Sequence, residues 1–174
     1  MRTKFIQLLS VTALLFGVSV TNILGAFANF DHVGGGATGS ITPNAEPGSY
    51  TFVGGGNDIW DTTDEFDFAN NDTAGDFDVR VRVESFEPTA RWSKAGIMAR
   101  EDLGTGSRNA FPRVTPADVP TGSGGNGAND TRYAYRAGIL GANGQHEDCI
   151  SCVSPAYPNA WVRLQRTEIG RAHV

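Results

Sequence analysis

One alternating segment constrains the fold of this chain more than any other. In DFDVRVRVESF (residues 76–86), apolar side chains occupy every second position (Phe77, Val79, Val81 and Val83), and charged ones lie between them (Asp78, Arg80, Arg82 and Glu84). Successive side chains of a β-strand point to opposite faces, so this pattern predicts an antiparallel strand that is buried on one face and solvated on the other.

The rest of the chain fits the same class. It contains 22 glycines and eight prolines, which divide it into short segments without a sustained 3.6-residue apolar period. Further strands are predicted at residues 49–53, 65–68, 94–101, 108–114, 132–138 and 161–167, and a long loop at 115–130. We therefore expect an all-β domain of the sandwich type.

The N-terminus has the pattern of a secretory signal. Arg2 and Lys4 precede an apolar run over residues 5–20, and Ala26-Phe27-Ala28 suits cleavage by signal peptidase. Residues 1–28 are predicted to be a signal peptide that forms a helix before the domain. This prediction places the mature protein outside the cell, in the periplasm or on the cell surface, without stable membrane insertion.

The net charge argues against negatively charged macromolecular partners. Without residues 1–28 the chain keeps 12 basic and 19 acidic side chains, a formal net charge of −7. Nucleic acids and anionic lipid surfaces attract cationic proteins, so neither is expected as a partner.

Several motifs occur in an order that resembles a known group of domains. They are GGGNDIW (residues 54–60), DEFDF (64–68), GDFDVRVRVES (75–85), WSKAGIMARE (92–101) and GSRNA (106–110). Over residues 31–167 the chain resembles the concanavalin A-like, laminin G-like domains of secreted bacterial proteins, and in particular a group labelled "regulation of enolase"-like whose role is undefined. The resemblance implies a jelly-roll sandwich of two antiparallel sheets, in a superfamily that includes lectins, sugar-binding modules and glucanases.

The C-terminus departs from this pattern. The heptapeptide EIGRAHV (residues 168–174) resembles a translated sequencing-library adapter, and the strands that the family implies after residue 167 are absent. We therefore expect the domain to cover residues 29–167 without its C-terminal strands, as the N-terminal fragment of a larger protein.

The acidic segment at residues 54–72 has two interpretations. Asp58, Asp61 and Asp64 lie at predicted turns, where carboxylates can bind calcium or can stabilise the turn through their own backbone. In the strand that follows, Glu65 and Asp67 are expected to point outward and Phe66 and Phe68 inward.

Glu65 and Asp67 also suggest a catalytic alternative. Glu65-Phe-Asp67-Phe-Ala-Asn70 resembles the E-x-D-x-x-E signature of retaining glucanases, in which one carboxyl is the nucleophile and the other the acid/base. Asn70 replaces the second glutamate and can perform neither role.

Aromatic side chains provide candidates for sugar binding, because their flat faces stack on pyranose rings. Trp60, Trp92, Tyr133, Tyr135 and Trp161 are available, but large aromatics also dominate core burial, so each of them can instead belong to the core. Trp92 is the first candidate for binding since it follows a polar loop, and Tyr133 and Tyr135 are further candidates.

The chain contains two cysteines, in Cys149-Ile-Ser-Cys152. An even number in an exported protein indicates a disulfide. Free thiols, zinc binding together with His146, and redox catalysis remain as alternatives.

Together these observations predict a non-catalytic recognition or adhesion module that binds glycan and requires no cofactor other than an optional calcium ion. A glycoside hydrolase that uses Glu65 and Asp67, and a structural spacer in a surface protein, are the alternatives.

Overall fold

A computed structural model describes residues 3–6, 27–36, 39–87, 89–90, 92–116, 131–141 and 160–167. In this part of the chain the regular secondary structure is entirely β, and the strand pairs are antiparallel. The predicted all-β class is therefore confirmed.

Thirteen strands are present in the described residues, and several are only two residues long. They are β1 (Thr3–Ile6), β2 (Asn29–Val33), β3 (Ser40–Pro43), β4 (Tyr50–Val53), β5 (Ile59–Trp60), β6 (Thr63–Asp64), β7 (Phe66–Thr73), β8 (Phe77–Val83), β9 (Ala95–Gly96), β10 (Ala99–Arg100), β11 (Asn109–Val114), β12 (Thr131–Arg136) and β13 (Ala160–Arg166).

Seven of these strands form the largest sheet. Its order is β12-β11-β10-β1-β7-β2, and β9 also pairs with β11. The other strands form three two-stranded sheets, β13-β8, β3-β4 and β5-β6.

The alternating segment forms β8 as predicted. Phe77, Val81 and Val83 are buried, whereas Arg80 is exposed. Its partner β13 has the same period, and Val162 lies opposite Val81. Apolar faces in register explain why these two strands pair at this position.

The hydrophobic core joins this pair to the larger sheet. Phe66, Phe68 and Phe111 from the large sheet belong to the same buried cluster as Val81 and Val162. One continuous core therefore fixes the sheets relative to the loops that carry the polar groups.

Two predicted strands differ substantially from the structure, whereas the bounds of the other predicted strands agree with it to within three residues. β7 continues to Thr73, beyond the predicted end at residue 68, because β1 pairs with residues 70–73 and satisfies the backbone of this polar half, while β2 pairs with residues 66–70. The segment predicted as one strand at residues 94–101 is divided into β9 and β10 around Ile97 and Met98. The facing residue on β11 is Pro112, which has no N–H to continue a regular ladder.

The N-terminal segment was expected to form a signal-peptide helix. In the structure Thr3–Ile6 is instead a strand that pairs with both β7 and β10. Residues 7–26 lie outside the described residues, and cleavage after residue 28 stays a prediction. The described residues contain no helix long and apolar enough to cross a membrane.

Candidate functional site

Two adjoining cavities lie where the loop at residues 54–58 faces the segment at 85–94. The larger is a cleft of about 640 Å³, and the smaller is a pocket of about 240 Å³. Both are lined by Asp58, Trp92 and Lys94, so these three residues connect them. Their combined size is in the range of small-ligand sites in proteins.

Two tryptophans line the smaller pocket. Trp60 on β5 is 43% exposed and Trp92 is 45% exposed. The guanidinium of Arg132 lies over the Trp92 ring, 5.4 Å from its centroid, and this cation–π contact helps to fix the ring. Half-exposed indoles beside a polar pocket can stack on a flat apolar surface of a ligand.

Asp58 and Lys94 form an ion pair at the junction of the cavities. Asp58 is fixed by its own loop: its Oδ1 accepts the Ile59 N–H at 2.7 Å, and its carbonyl accepts the Glu65 N–H at 2.8 Å. The Lys94 side chain is only 6% exposed, so Asp58 holds a nearly buried ammonium group at the cavity wall.

Arg113 adds a second cation to the smaller pocket. It lies opposite Arg132 in the β11-β12 register, so the two side chains share one face of the sheet. The sequence reasoning did not identify Arg113, although it follows Phe111 by two residues and so lies in phase with a core position.

The glycine loop, residues 54–56, lines the larger cleft. At Gly56 φ is 122°, and a Cβ there would lie 2.1 Å from the Glu65 carbonyl oxygen. Only glycine lets the backbone approach this closely in this conformation. The neighbouring Gly55 N–H donates to Asp67 Oδ2 at 2.6 Å, which ties the loop to β7.

Glu65 and Asp67 both line the larger cleft, but their environments differ. Glu65 is half-buried as it enters β7, whereas Asp67 is only 2% exposed. The prediction that Asp67 points to solvent was therefore wrong. His32, opposite it on β2, hydrogen-bonds its carboxylate, and the glycine loop covers that face of the strand.

The three candidate calcium ligands do not converge. Asp58 pairs with Lys94, and Asp61 is an exposed turn residue with a φ of 52°. Asp64 is buried and binds the Arg136 guanidinium through both oxygens at 2.7 Å. Across the described ranges, no group of three or more His, Cys, Asp and Glu side chains could hold a metal ion, and calcium binding stays a prediction.

The ion cluster around Asp64 is a structural feature that the sequence analysis missed. Arg100 approaches the same carboxylate at 3.3 Å, and Asn109 donates to it at 3.4 Å. Burial lowers the pKa of the Arg100 guanidinium, and the nearby Asp64 carboxylate opposes that shift. Because this cluster is sealed from solvent, we assign it to folding rather than to ligand binding.

The tyrosine candidates lie away from the cavities. Tyr133 and Tyr135 point to the opposite face of β12 from Arg132, because side chains alternate along a strand. Their rings are 6.0 Å apart, and burial raises the pKa of the Tyr133 hydroxyl. Of the three residues selected as binding candidates, Trp92, Tyr133 and Tyr135, only Trp92 therefore lies at the candidate site, where it is joined by Trp60.

Cys149, Cys152 and His146 lie outside the described residues. Whether they form a disulfide, a metal site or a redox pair stays a prediction, as does the loop predicted over residues 115–130, which is described only at Thr115 and Pro116.

No family model, curated protein or solved structure matches this chain. Its function is therefore inferred from the site itself.

Proposed function

We propose that this chain is a non-catalytic recognition module that binds glycan in the cavities around Trp92. In this proposal the domain is a concanavalin A-like jelly-roll sandwich of a secreted or cell-surface bacterial protein. One observation carries the proposal: Trp60 and Trp92, both half-exposed, line a pocket whose polar groups are Asp58, Lys94 and Arg113.

This combination suits a sugar better than an apolar ligand. A pyranose has apolar C–H faces, which stack on indole rings, and hydroxyl edges, which exchange hydrogen bonds with charged side chains. The larger cleft beside the pocket provides room for a second sugar unit and is lined by further polar groups, including Glu65, Thr89 and Ser93.

A glycoside hydrolase is the second candidate, because Glu65 and Asp67 both line the larger cleft. Retaining hydrolysis requires one carboxylate that is free to attack the sugar. Asp67 is instead nearly buried and bonded to His32 and to the Gly55 N–H. This environment supports a structural role for Asp67 and disfavours catalysis.

The test is binding of the full chain to a broad glycan array, with tryptophan substitutions as the variants. Trp92→Ala should weaken binding about tenfold or more, as expected for a central aromatic contact. Trp161→Ala is the matched control, because Trp161 is 42% exposed but lies on β13, outside both cavities.

The outcomes separate the candidates. Binding without release of reducing sugar supports the proposal, whereas release that is lost in Glu65→Gln supports the hydrolase. A folded protein that neither binds nor cleaves any glycan on the array is the result that the spacer alternative predicts, and the proposal is then wrong.

A further inference from the structure

Four carboxylates line the larger cleft in the part of the chain that the structure describes. They belong to Asp58, Glu65, Asp67 and Glu87. Lys94 is the one basic side chain among the described lining residues of this cleft. The walls of the cleft therefore carry a net negative charge, which favours a positively charged group on the ligand.

Two of the four carboxylates are already compensated inside the protein. Asp58 forms the ion pair with Lys94. Asp67 is bonded to the His32 imidazole and accepts the Gly55 N–H. Neither of these two carboxylates therefore needs a ligand to offset its charge.

Glu65 differs from both. The residue is half-buried at the wall of the cleft, but its carboxylate has no hydrogen-bond or ion-pair partner among the described residues. Glu87, by contrast, is exposed and stays solvated. A charged group that loses water without gaining a partner destabilises the folded protein. A ligand cation beside Glu65 would replace the lost interactions, and its attraction to the carboxylate is stronger here than in open water.

The backbone around Glu65 restricts the position of this carboxylate. The Glu65 N–H donates to the Asp58 carbonyl oxygen at 2.8 Å. On the other side, a Cβ on Gly36 would overlap the Glu65 Oε1, and a Cβ on Gly34 would lie 3.1 Å from the Glu65 Cβ. These two glycines let the chain pack against the Glu65 side chain, and a side chain that is already ordered loses less conformational entropy when a ligand binds.

From these observations we infer that the ligand is an amino sugar, whose ammonium group binds the Glu65 carboxylate in the larger cleft. The sugar ring packs against Trp92, which lines both cavities. An ammonium group brings its own charge to the hydrogen bond with a carboxylate, whereas a hydroxyl or N-acetyl group is uncharged. This inference rests on the proposed glycan binding and specifies its ligand class.

The experiment compares three oligosaccharides that differ in one substituent of the ring. Oligomers of glucosamine, N-acetylglucosamine and glucose, of equal length and with the same β-1,4 linkage, are titrated calorimetrically into the full chain under mildly acidic conditions that keep the amino groups charged. We expect the glucosamine oligomer to bind about tenfold or more tighter than either neutral oligomer, the effect of one charge-assisted hydrogen bond. Oligolysine of the same charge should bind more weakly, because it has no ring to stack on Trp92; equally tight binding of oligolysine would overturn the inference.

Two substitutions that remove one negative charge each distinguish a local contact from long-range attraction. Glu65→Gln should bind the glucosamine oligomer only about as tightly as it binds the N-acetylated one. Glu46→Gln is the matched control, because Glu46 is exposed and lies outside both cavities, and it should keep the full preference. Circular dichroism and a thermal melt confirm that both variants are folded. Equal loss of the preference in the two variants would mean that net charge alone attracts the ligand, and the inference would be wrong.

Failure of the inference can be told apart from failure of the proposed function. If the neutral oligomers bind as tightly as the glucosamine oligomer, or only glycans without amino groups bind, the module binds glycan but the amino-sugar assignment is wrong. If neither these oligomers nor any glycan on the array binds to folded protein, both are wrong.

Discussion

Replacing Asp64 by asparagine should strongly destabilise the fold, because it removes the anion of a buried ion cluster. The side chains of Asp64, Arg100 and Arg136 are fully buried. Both Asp64 oxygens bind Arg136 at 2.7 Å, and one also receives Arg100 at 3.3 Å. In Asp64→Asn the two guanidinium groups remain buried without their shared counter-ion.

The size of the effect follows from what the arginines retain. Arg136 still donates to the carbonyl oxygens of Asp61, Thr105, Ser107 and Gly141, and Arg100 to those of Asp102 and Gly104. These bonds satisfy N–H groups but do not neutralise charge. Breaking a buried pair costs about 3–5 kcal/mol, and we expect about 3 kcal/mol, which corresponds to a loss of roughly 10 °C in Tm.

The chain provides a matched control at its surface. Asp78 binds Arg163 with similar two-point geometry, including 2.7 Å from Nε to Oδ1, but its side chain is 32% exposed. Asp78→Asn should therefore cost at most about 1 kcal/mol. Urea unfolding followed by tryptophan fluorescence measures both variants, with circular dichroism to confirm the starting fold. Equal losses in the two variants would refute the buried-cluster argument.

Three further predictions concern the backbone and the surface. Because β1 lies within the predicted signal peptide, between β7 and β10, removing residues 1–28 tests that prediction: the shortened chain should melt as sharply as the full chain if these residues are cleaved, whereas aggregation that a peptide of residues 1–8 reverses would show that β1 belongs to the folded sheet and would contradict cleavage after residue 28. Gly56→Ala puts a Cβ 2.1 Å from a backbone oxygen and should cost more than about 3 kcal/mol. At Gly75 φ is also positive, at 77°, but a Cβ meets nothing within 4 Å. Gly75→Ala is therefore the control and should cost only about 1–2 kcal/mol. Equal urea midpoints for Gly56→Ala and Gly75→Ala would argue against a clash at Gly56. The hydrogen bond from Arg163 lowers the pKa of Asp78 in the folded protein. This ion pair therefore stabilises the fold at pH values above the pKa that Asp78 has in the unfolded chain, and the stabilisation is lost as the pH falls through the lower pKa of the folded protein. The difference in urea midpoint between wild type and Asp78→Asn should shrink from about pH 5 to about pH 3, and a constant difference would be evidence against this pKa shift.

The strands were predictable where one face is apolar and the other polar. β8 and β13 follow this rule, and alternation alone gives their inward residues. The same rule failed for Asp67, which lies on a strand covered on both faces near its start. What covers the second face is the glycine loop, and its contact with β7 depends on pairing between residues distant in sequence.

The arginines show a second limit of local patterns. In Arg132-Tyr-Ala-Tyr-Arg136 a local pattern favours burial of the aromatic residues over the arginines, yet Tyr133 is exposed and Arg136 is buried. Arg136 can be buried only because Asp64, 72 positions earlier in the chain, lies against it. Such a partner is set by the tertiary fold and cannot be seen within one strand.

Of the site residues, Trp92 and Asp58 could be identified from the sequence, but the sequence does not show that they line the same pocket. Trp92 stood out because it follows a polar loop, and Asp58 because it lies at a turn. Lys94 and Arg113 were missed since both lie in segments predicted as strands, where a cation is usually a solvated side chain. The chain's folding, rather than a motif, brings these four side chains to one pocket.

The most direct test of the account is an NMR titration that observes the three tryptophan indole N–H signals of the full chain. Trp60, Trp92 and Trp161 are 43%, 45% and 42% exposed, so exposure alone cannot make them respond differently. With an oligosaccharide that binds on the glycan array, the signals of Trp60 and Trp92 should shift together and saturate at one Kd, while that of Trp161 stays unchanged. Equal shifts of all three signals, or a shift of Trp161 alone, would contradict the placement of the glycan site at Trp92.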